Sequence, residues 1–255
     1  RKLRKKYAKH RFVFLFLAGE TRVVESVKRP LDFLYSNLMQ PADFILKNIN
    51  KSDLFLFFST AGALYSGKNT IYKESVPEPL NMYGISKLSS EMVLQRLVFD
   101  HGGLFSSFRM TNVYGPYSDR KLSAVHRFIE LILRNKQLIV NGDGNQKRNF
   151  VFSEDVAKAV HTTIDNFNHG VIIKKVQFIA SYSELSINQL IEKLQSLTRK
   201  KIAVIRDLEN RRTGEPDDVK IDKKLVDQKL FSVTPIEEGL LKTIGYFEKR
   251  IEHEK

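Results

Sequence analysis

The 255-residue sequence contains no cysteine and no tryptophan. Without thiols it has no disulfide, no cysteine nucleophile and no thiolate metal site. No apolar run reaches the length of a bilayer span, so no membrane partner is expected; the longest, Phe12 to Ala18, has the length of a buried strand. No secretory signal is visible, because the basic start passes straight into that strand without a cleavage region. With the lack of cysteine, this points to the cytoplasm. The six histidines are scattered, with no i,i+4 pair and no carboxylate at ligand spacing, so no metal site is expected. There is no internal repeat and no low-complexity tract.

Positive charge is in excess: 42 Lys and Arg against 29 Asp and Glu, a net charge of +13. Such a balance attracts polyanions or anionic small substrates, although most of these charges read as a solvated lysine-rich surface. The one dense cluster is Arg1-Lys2-Leu3-Arg4-Lys5-Lys6. No nucleic-acid recognition motif accompanies it, so nucleic acid is not the expected partner. The first residue is not Met, which reads as a processed chain or a fragment. Hydrophobic residues make up 42% and mean hydropathy is −0.29, ordinary for a globular protein with a sizeable core. The length suits one large domain, or one domain with a small lobe.

Along the chain, Arg11 to Leu17 reads as a strand buried on both faces of a parallel sheet. A helical region from about Val23 to Asn48 follows, broken or kinked at Pro30 and Pro41. Asp53 to Phe58 is a second buried strand, with a small-residue loop over Ser59 to Gly67 and a proline-bearing loop over Ser75 to Pro79. A helix is predicted from Tyr83 to Phe99, with Leu88, Met92 and Leu97 among its apolar positions and Gly102-Gly103 ending it. Leu104 to Arg109 is a third strand, leading into the loop Thr111 to Asp119. Beyond it come helix 125–133, strand 137–140, a Gly- and Asn-rich turn, strand 149–152, helix 154–165, strand 176–180, a helix capped by Ser186, and strand 202–205. Thr234-Pro235-Ile236-Glu237 reads as a capping box with proline at the first position of the last helix. Strands alternating with helices indicate an α/β fold with a mostly parallel sheet. Ligands in such folds sit outside the carboxyl ends of strands, which here means the loops at Ala18, Ser59 and Thr111.

The Tyr83 helix starts in that neighbourhood. Tyr83 and Lys87 lie four apart, on one helix face. A phenol ionises near pH 10 and is a poor acid–base group at neutral pH; an adjacent ammonium favours the phenolate and lowers that value. The pair can therefore move a proton on and off a hydroxyl or carbonyl. In a lysine-rich protein the spacing alone is weak, and its setting is what gives it weight.

That setting resembles a known family. Phe16-Leu17-Ala18-Gly19 stands where the family has its HLAA strand end, and Ser26, Pro30 and Asn37 match its S…P…N helix. Ser59 to Tyr65 resembles the SSxxxVY loop, Tyr83 to Lys87 is YxxxK, and Arg109 to Pro116 matches RxxNxYGP. Gly142 to Ala157 matches GDGxQxRDFVxVxDVA, and Arg212 to Pro216 resembles RxGDP. Taken in order, these segments resemble the extended short-chain dehydrogenase/reductases of the nucleotide-sugar epimerase/dehydratase group, those like UDP-glucose 4-epimerase.

The resemblance implies a Rossmann-like doubly wound sheet, lacking its N-terminal part, over residues 1–115. A smaller α+β lobe, mainly for substrate, would span 116–255, with the strand and helix near 149–165 returning to the first domain. It implies NAD, which would take hydride from a sugar carbon and return it through a keto intermediate, in surface polysaccharide synthesis. It assigns acid–base work to Tyr83 and makes Lys87 the residue that lowers the Tyr83 pKa and holds the nicotinamide ribose. Leu17, Ala18, Gly19, Asn37 and Ser59 would line the cofactor, and Ala61, Asn112, Arg148 and Arg212 the nucleotide-diphosphate sugar. A homodimer is expected.

Two departures from the family pattern shape the expectation. The glycine motif GxxGxxG, whose backbone N–H groups bind a pyrophosphate, occurs nowhere in the chain. The 255 residues by themselves are therefore expected to hold NAD weakly or not at all. The family's catalytic Ser or Thr falls on Ala61, with Thr60 beside it as the substitute hydroxyl. Gly62 and Ala63 occupy the places where dehydratases carry Asp-Glu and decarboxylases a Glu, which leaves epimerase or ketoreductase, with a non-catalytic binding relative as the rival.

Overall fold

A short basic helix, α1 (Lys2–Lys6), leads into the edge strand β1 (Val13–Phe16) in the computed structural model, which describes residues 2–118, 123–182, 184–209, 216 and 218–254. Arg4 ties the two together: its guanidinium pairs with Asp53 and lies 4.0 Å from the centre of the Phe12 ring. Asp53 is buried, and its carboxylate also accepts from the backbone N–H groups of Phe12 and Asn50, both at 2.8 Å.

The helical region that follows is cut by proline into α2 (Val23–Lys28) and α3 (Pro30–Leu34), a π-helical turn over Tyr35–Met39, and α4 (Gln40–Asn48). Pro30 starts a new helix at its first turn, where no N–H is needed. Pro41 is absorbed differently. In an α-helix its missing N–H would have bonded the Asn37 carbonyl; that carbonyl instead accepts from the Ser90 hydroxyl at 2.7 Å, on the neighbouring helix.

The central strand is β2 (Leu54–Thr60), followed by α5 (Met82–Asp100) and β3 (Leu104–Met110). Next come β4 (Asn112–Tyr114), α6 (Ala124–Leu133), β5 (Leu138–Asn141), β6 (Lys147–Phe152) and α7 (Ser153–Asn168). The chain ends with β7 (Val176–Ile179), β8 (Glu184–Ser186), α8 (Ile187–Thr198), β9 (Val204–Asp207), a 3-10 turn at Lys223–Leu225 and α9 (Ile236–His253).

The main sheet has the order β1-β2-β3-β7 and is wholly parallel, an α/β Rossmann-like arrangement. Its middle is apolar on both faces, as parallel sheets require. Leu54, Leu56 and Phe58 face one core with Phe108, Val151 and Ala159; Phe55 and Phe57 face another with Ile45, Leu94 and Phe105. Burying one such phenylalanine stabilises the fold by about 1.5–3 kcal/mol. A third core joins Tyr114, Phe128 and Phe152 to α8 and α9 through Leu190, Leu194, Leu240 and Phe247. Between the sequences that build that third core the chain returns to the main sheet, at β7 and again at 219–231, where Ile221, Val226 and Phe231 pack into the first core.

Three expectations are corrected. The first strand is buried on one side only: β1 pairs with β2 alone, Phe14 and Phe16 pack inward, and Leu15 and Leu17 are exposed. Met92 lies on the outer face of α5 and is exposed. The capping box at the last helix does not form, because the backbone N–H and hydroxyl of Thr234 both donate to buried Asp155 at 2.8 and 2.6 Å. The cap predicted at Ser186 does form, and Gln189 completes it as a capping box. Among the described residues no helix is long and apolar enough to cross a membrane.

Candidate active site

The carboxyl ends of β1, β2 and β3 and the start of α5 converge. Asn81 caps α5, accepting from the Gly84 N–H at 2.8 Å. Gly84 is required by the packing: a Cβ there would lie 2.1 Å from the Ala63 carbonyl oxygen. That close approach brings Tyr83 against the end of β2. The Thr60 hydroxyl donates to its phenol oxygen and accepts from the Ala63 N–H at 3.3 Å. The Tyr83 ring meets Phe33 edge-on, with centres 6.4 Å apart.

One turn on, Lys87 is buried. Its ammonium donates to the Phe58 carbonyl at 2.9 Å and lies 4.7 Å from the centre of the Phe57 ring. Burial lowers its pKa to about 8, with the charge of Glu91 opposing. Tyr83 does not show the lowered value that the Tyr–Lys spacing predicts. Burial pushes its phenol up to about 12, and the bond from Thr60 only moderates the rise. Desolvation penalises the phenolate, and this outweighs a cation whose hydrogen bond is directed at β2. Tyr83 thus holds its proton at neutral pH.

The loop after β1 is fixed to the same helix. The Asn37 side chain accepts from the Glu20 N–H at 2.9 Å and donates to the Glu20 carbonyl at 3.1 Å and to Ser86 Oγ at 2.9 Å. Ser86 in turn donates to the Tyr83 carbonyl at 2.8 Å. Gly19, with φ of +136°, passes so near that a Cβ would stand 2.3 Å from Asn37 Oδ1 and 4.0 Å from Lys87 Nζ. Leu17 and Ala18, both exposed, precede it at the mouth of the site. Ser59 is buried at the end of β2, and its hydroxyl has no hydrogen-bond partner among the described residues.

On the other side, Asn112 begins β4 in register with Phe150 of β6, which also carries Arg148. Asn112 is exposed and donates to the Asn149 carbonyl at 3.3 Å; Arg148 is half-buried and donates to the Lys147 carbonyl at 3.0 Å. Ala61 is fully buried, its N–H bonded to the Met110 carbonyl. Arg212 lies outside the described residues.

Two further parts complete the site. Asn149 is buried and bridges Thr111 to Ser181: its Oδ1 accepts from the Thr111 hydroxyl and the Ser181 N–H, and its Nδ2 donates to the Ser181 carbonyl, each at 2.9 Å. Glu91, one turn beyond Lys87, is clamped by Ser107 Oγ at 2.8 Å and by Arg109 Nη2 at 2.6 Å. Arg109 also donates to the Tyr65 hydroxyl at 2.7 Å. The signal was present in the i,i+4 step from Lys87 to Glu91, an acid on the face of α5 that the sheet must cover.

The sequence model of the NAD dependent epimerase/dehydratase family matches residues 2–176. A putative UDP-glucose 4-epimerase of Methanocaldococcus jannaschii is 32% identical over 71% of this chain and 59% of its own length. This chain thus spans less than two thirds of that relative. A UDP-glucuronate 4-epimerase of Thermodesulfobacterium geofontis is 27% identical, over 93% of this chain and 73% of its own. Among solved structures, the UDP-glucose 4-epimerase of Thermotoga maritima with UDP-glucose superposes with a TM-score of 0.84 at 26% identity, covering 98% of this chain and 82% of that one.

Proposed function

The chain belongs to the NAD dependent epimerase/dehydratase family, and on that premise we propose that it works in NAD-dependent epimerisation of a nucleotide-diphosphate sugar. The observation that carries the reading is the trio at the β2–α5 junction: a desolvated phenol bonded to a hydroxyl, with a buried ammonium one turn away. Tyr83 is the group that gives a proton to, or takes it from, the reacting sugar oxygen, and Thr60 supplies the second hydrogen bond to that oxygen. Lys87 places a fixed positive charge behind them.

Residues 1–115 are read as the cofactor domain and 116–255 as mainly the substrate lobe, with 149–165 returning to the former. When bound, NAD supplies hydride removal and return at a sugar carbon. The residues present fit its nicotinamide-ribose end: the buried Ser59 hydroxyl has no partner among the described residues, and the Lys87 ammonium has three donors. Leu17, Ala18, Gly19 and Asn37 form the adjoining wall. No residues of a glycine-rich pyrophosphate loop accompany them in the sequence. Asn112 and Arg148, and Arg212 by sequence alone, are the groups for the nucleotide-sugar, where guanidinium suits diphosphate. The cytoplasm and a role in polysaccharide synthesis go with this reading.

Ala61, in place of a hydroxyl residue, favours a second reading, a relative that binds nucleotide-sugar without turning it over. The experiment is to incubate the protein with NAD and UDP-glucose or UDP-glucuronate and follow the 4-epimer by proton NMR. Epimer that forms with the parent and not with Tyr83→Phe supports the first reading. Saturable binding without epimer supports the second, and a keto sugar reduced by added NADH supports a ketoreductase.

The homodimer is part of the proposal. Val27, Leu31, Tyr35 and Met39 recur at helical spacing along α2–α4 and are exposed, as are Ile85 and Met92 on adjoining α5. Apolar rows of this kind mark interfaces. Residues 23–48 hold three acidic and three basic side chains, and 82–100 two of each, so both helices are neutral in a chain of +13. That neutrality lets the face meet a second copy of itself without repulsion. Sedimentation should show a dimer that Leu31→Glu converts to monomer; a monomeric parent at micromolar concentration would end the idea.

A further inference from the structure

We propose that Glu91 and Arg109 form a charge couple that sets the protonation of Lys87, making both of them positioning residues for the reaction proposed above. The inference rests on that reading only for its consequence in turnover. Its structural basis stands apart.

Glu91 follows Lys87 by four residues on α5, so the two side chains project from neighbouring turns of one face. Both are buried. The Glu91 carboxylate is immobilised: Oε1 accepts from Ser107 Oγ at 2.8 Å and Arg109 Nε at 3.1 Å, and Oε2 from Arg109 Nη2 at 2.6 Å. Arg109 is anchored in turn by its strand, where it stands in register with Ser59 of β2, and by its bond to the Tyr65 hydroxyl. A buried carboxylate with one cation already bound has a fixed direction and a fixed distance to the next. It favours the charged form of Lys87, while Arg109 behind it disfavours that form. Burial disfavours the ammonium, and the charge of Glu91 opposes that effect.

Tyr83 stands one turn before Lys87 on α5, β2 presents the Phe58 carbonyl to its ammonium, and the Phe57 ring lies 4.7 Å away. The loop after β1 passes nearby at Gly19, where an added Cβ would stand 4.0 Å from Lys87 Nζ.

The test reads Lys87 directly. Its side-chain nitrogen is titrated by heteronuclear NMR in the protein without substrate, the resonance being assigned by its loss in Lys87→Met. Glu91→Gln removes the anion and leaves Arg109, so the Lys87 pKa should fall by about one unit or more. At pH 8 the cationic fraction would drop about fivefold from one half. Arg109→Met removes the cation and leaves the anion, so the value should rise. Opposite signs are the signature of charge, since a loosened structure would shift both variants alike. Ser107→Ala removes a hydrogen bond to the same carboxylate without changing charge and should leave the value within a few tenths of a unit. Where Glu91→Gln alone does not fold, its addition to Arg109→Met, which leaves no lone buried charge, must lower the value of that single variant. Shifts of the same sign, or none, overturn the inference. If the shifts appear while the parent shows no epimerisation, the functional reading fails and the charge couple stands.

Discussion

The Tyr83–Lys87 side of the site and the Asn112–Arg148 side are built to different standards. On the first, Tyr83, Lys87, Asn37 and Ser86 are tied to β2 or to the loop after β1, through named hydrogen bonds in a largely buried setting. On the second, Asn112 is exposed and donates a long bond to the Asn149 carbonyl, and Arg148 is half-buried on β6. A proton-transfer pair depends on desolvation and fixed geometry, because these set its pKa and its reach. Groups that meet a charged, water-borne ligand depend on access. The comparison predicts large, chemistry-like effects from substitutions on the first side and small, affinity-like effects on the second.

The sharpest break comes at Tyr83. Tyr83→Phe keeps the ring against Phe33 and deletes only the hydroxyl. Turnover should fall about 10²–10⁴-fold with substrate affinity near that of the parent, as expected for loss of a general acid–base group. Steady-state kinetics of epimerisation decides it, and a variant with parental kcat removes Tyr83 from the chemistry.

Lys87 separates stability from function on the same side. Its pKa is about 8 in the folded protein against 10.5 unfolded, so between those values the unfolded chain binds more protons and stability rises with pH. Below pH 8 the full cost is present, about 3 kcal/mol at 1.36 kcal/mol per unit. Lys87→Met should therefore stabilise the protein by roughly 1–3 kcal/mol at pH 7, once loss of the bond to Phe58 is set against it, and should flatten the rise. Urea denaturation at pH 7.5 and 9.5 measures both quantities below the range where Tyr83, raised to about 12, lowers stability as pH climbs past 10. A parent whose stability does not rise between those two pH values contradicts the account.

Thr60 tests the junction between the two sides. Thr60→Val keeps the volume, removes the hydroxyl bonded to Tyr83 and leaves the Ala63 N–H without that acceptor. Turnover should fall on the order of 10–100-fold, the value of one hydrogen bond realised in the transition state. An active enzyme indifferent to this change would pass the role to Ser59.

How much of this was legible depends on the range of the interaction. The parallel α/β sheet followed from apolar runs such as Asp53–Phe58, because burial on both faces leaves a local signature. Period and spacing placed Tyr83 above Lys87, and Ser186 announced its cap. The exposure of Leu15 did not follow, since an edge strand differs from a central one only by what lies beside it. Thr234 departs from the local pattern for a similar reason: Asp155, 79 residues away, binds the hydroxyl that the pattern assigns to the helix. The high pKa of Tyr83 was also out of reach, because it depends on how completely Phe33 and the end of β2 exclude water.

The smallest effect is expected at Asn112, and it bears most directly on the contrast. Its amide donates to the Asn149 carbonyl at 3.3 Å, near the limit of a hydrogen bond, and the side chain is exposed. Asn149 itself is buried and held by Thr111 and Ser181, so it does not depend on Asn112 for its position. Asn112→Ala should thus change stability by no more than about 0.5 kcal/mol. If its amide meets the nucleotide-sugar, one neutral hydrogen bond near 1 kcal/mol is lost equally from ground and transition states. KM should rise about fivefold with kcat unchanged. The same substitution at buried Asn149 should instead cost stability, since it removes three hydrogen bonds, with the Thr111 hydroxyl and with the Ser181 N–H and carbonyl. A fall in kcat at Asn112 with KM unaltered would place that residue with Tyr83 and Lys87, and the division of the site into a proton-handling side and a ligand-holding side would no longer hold.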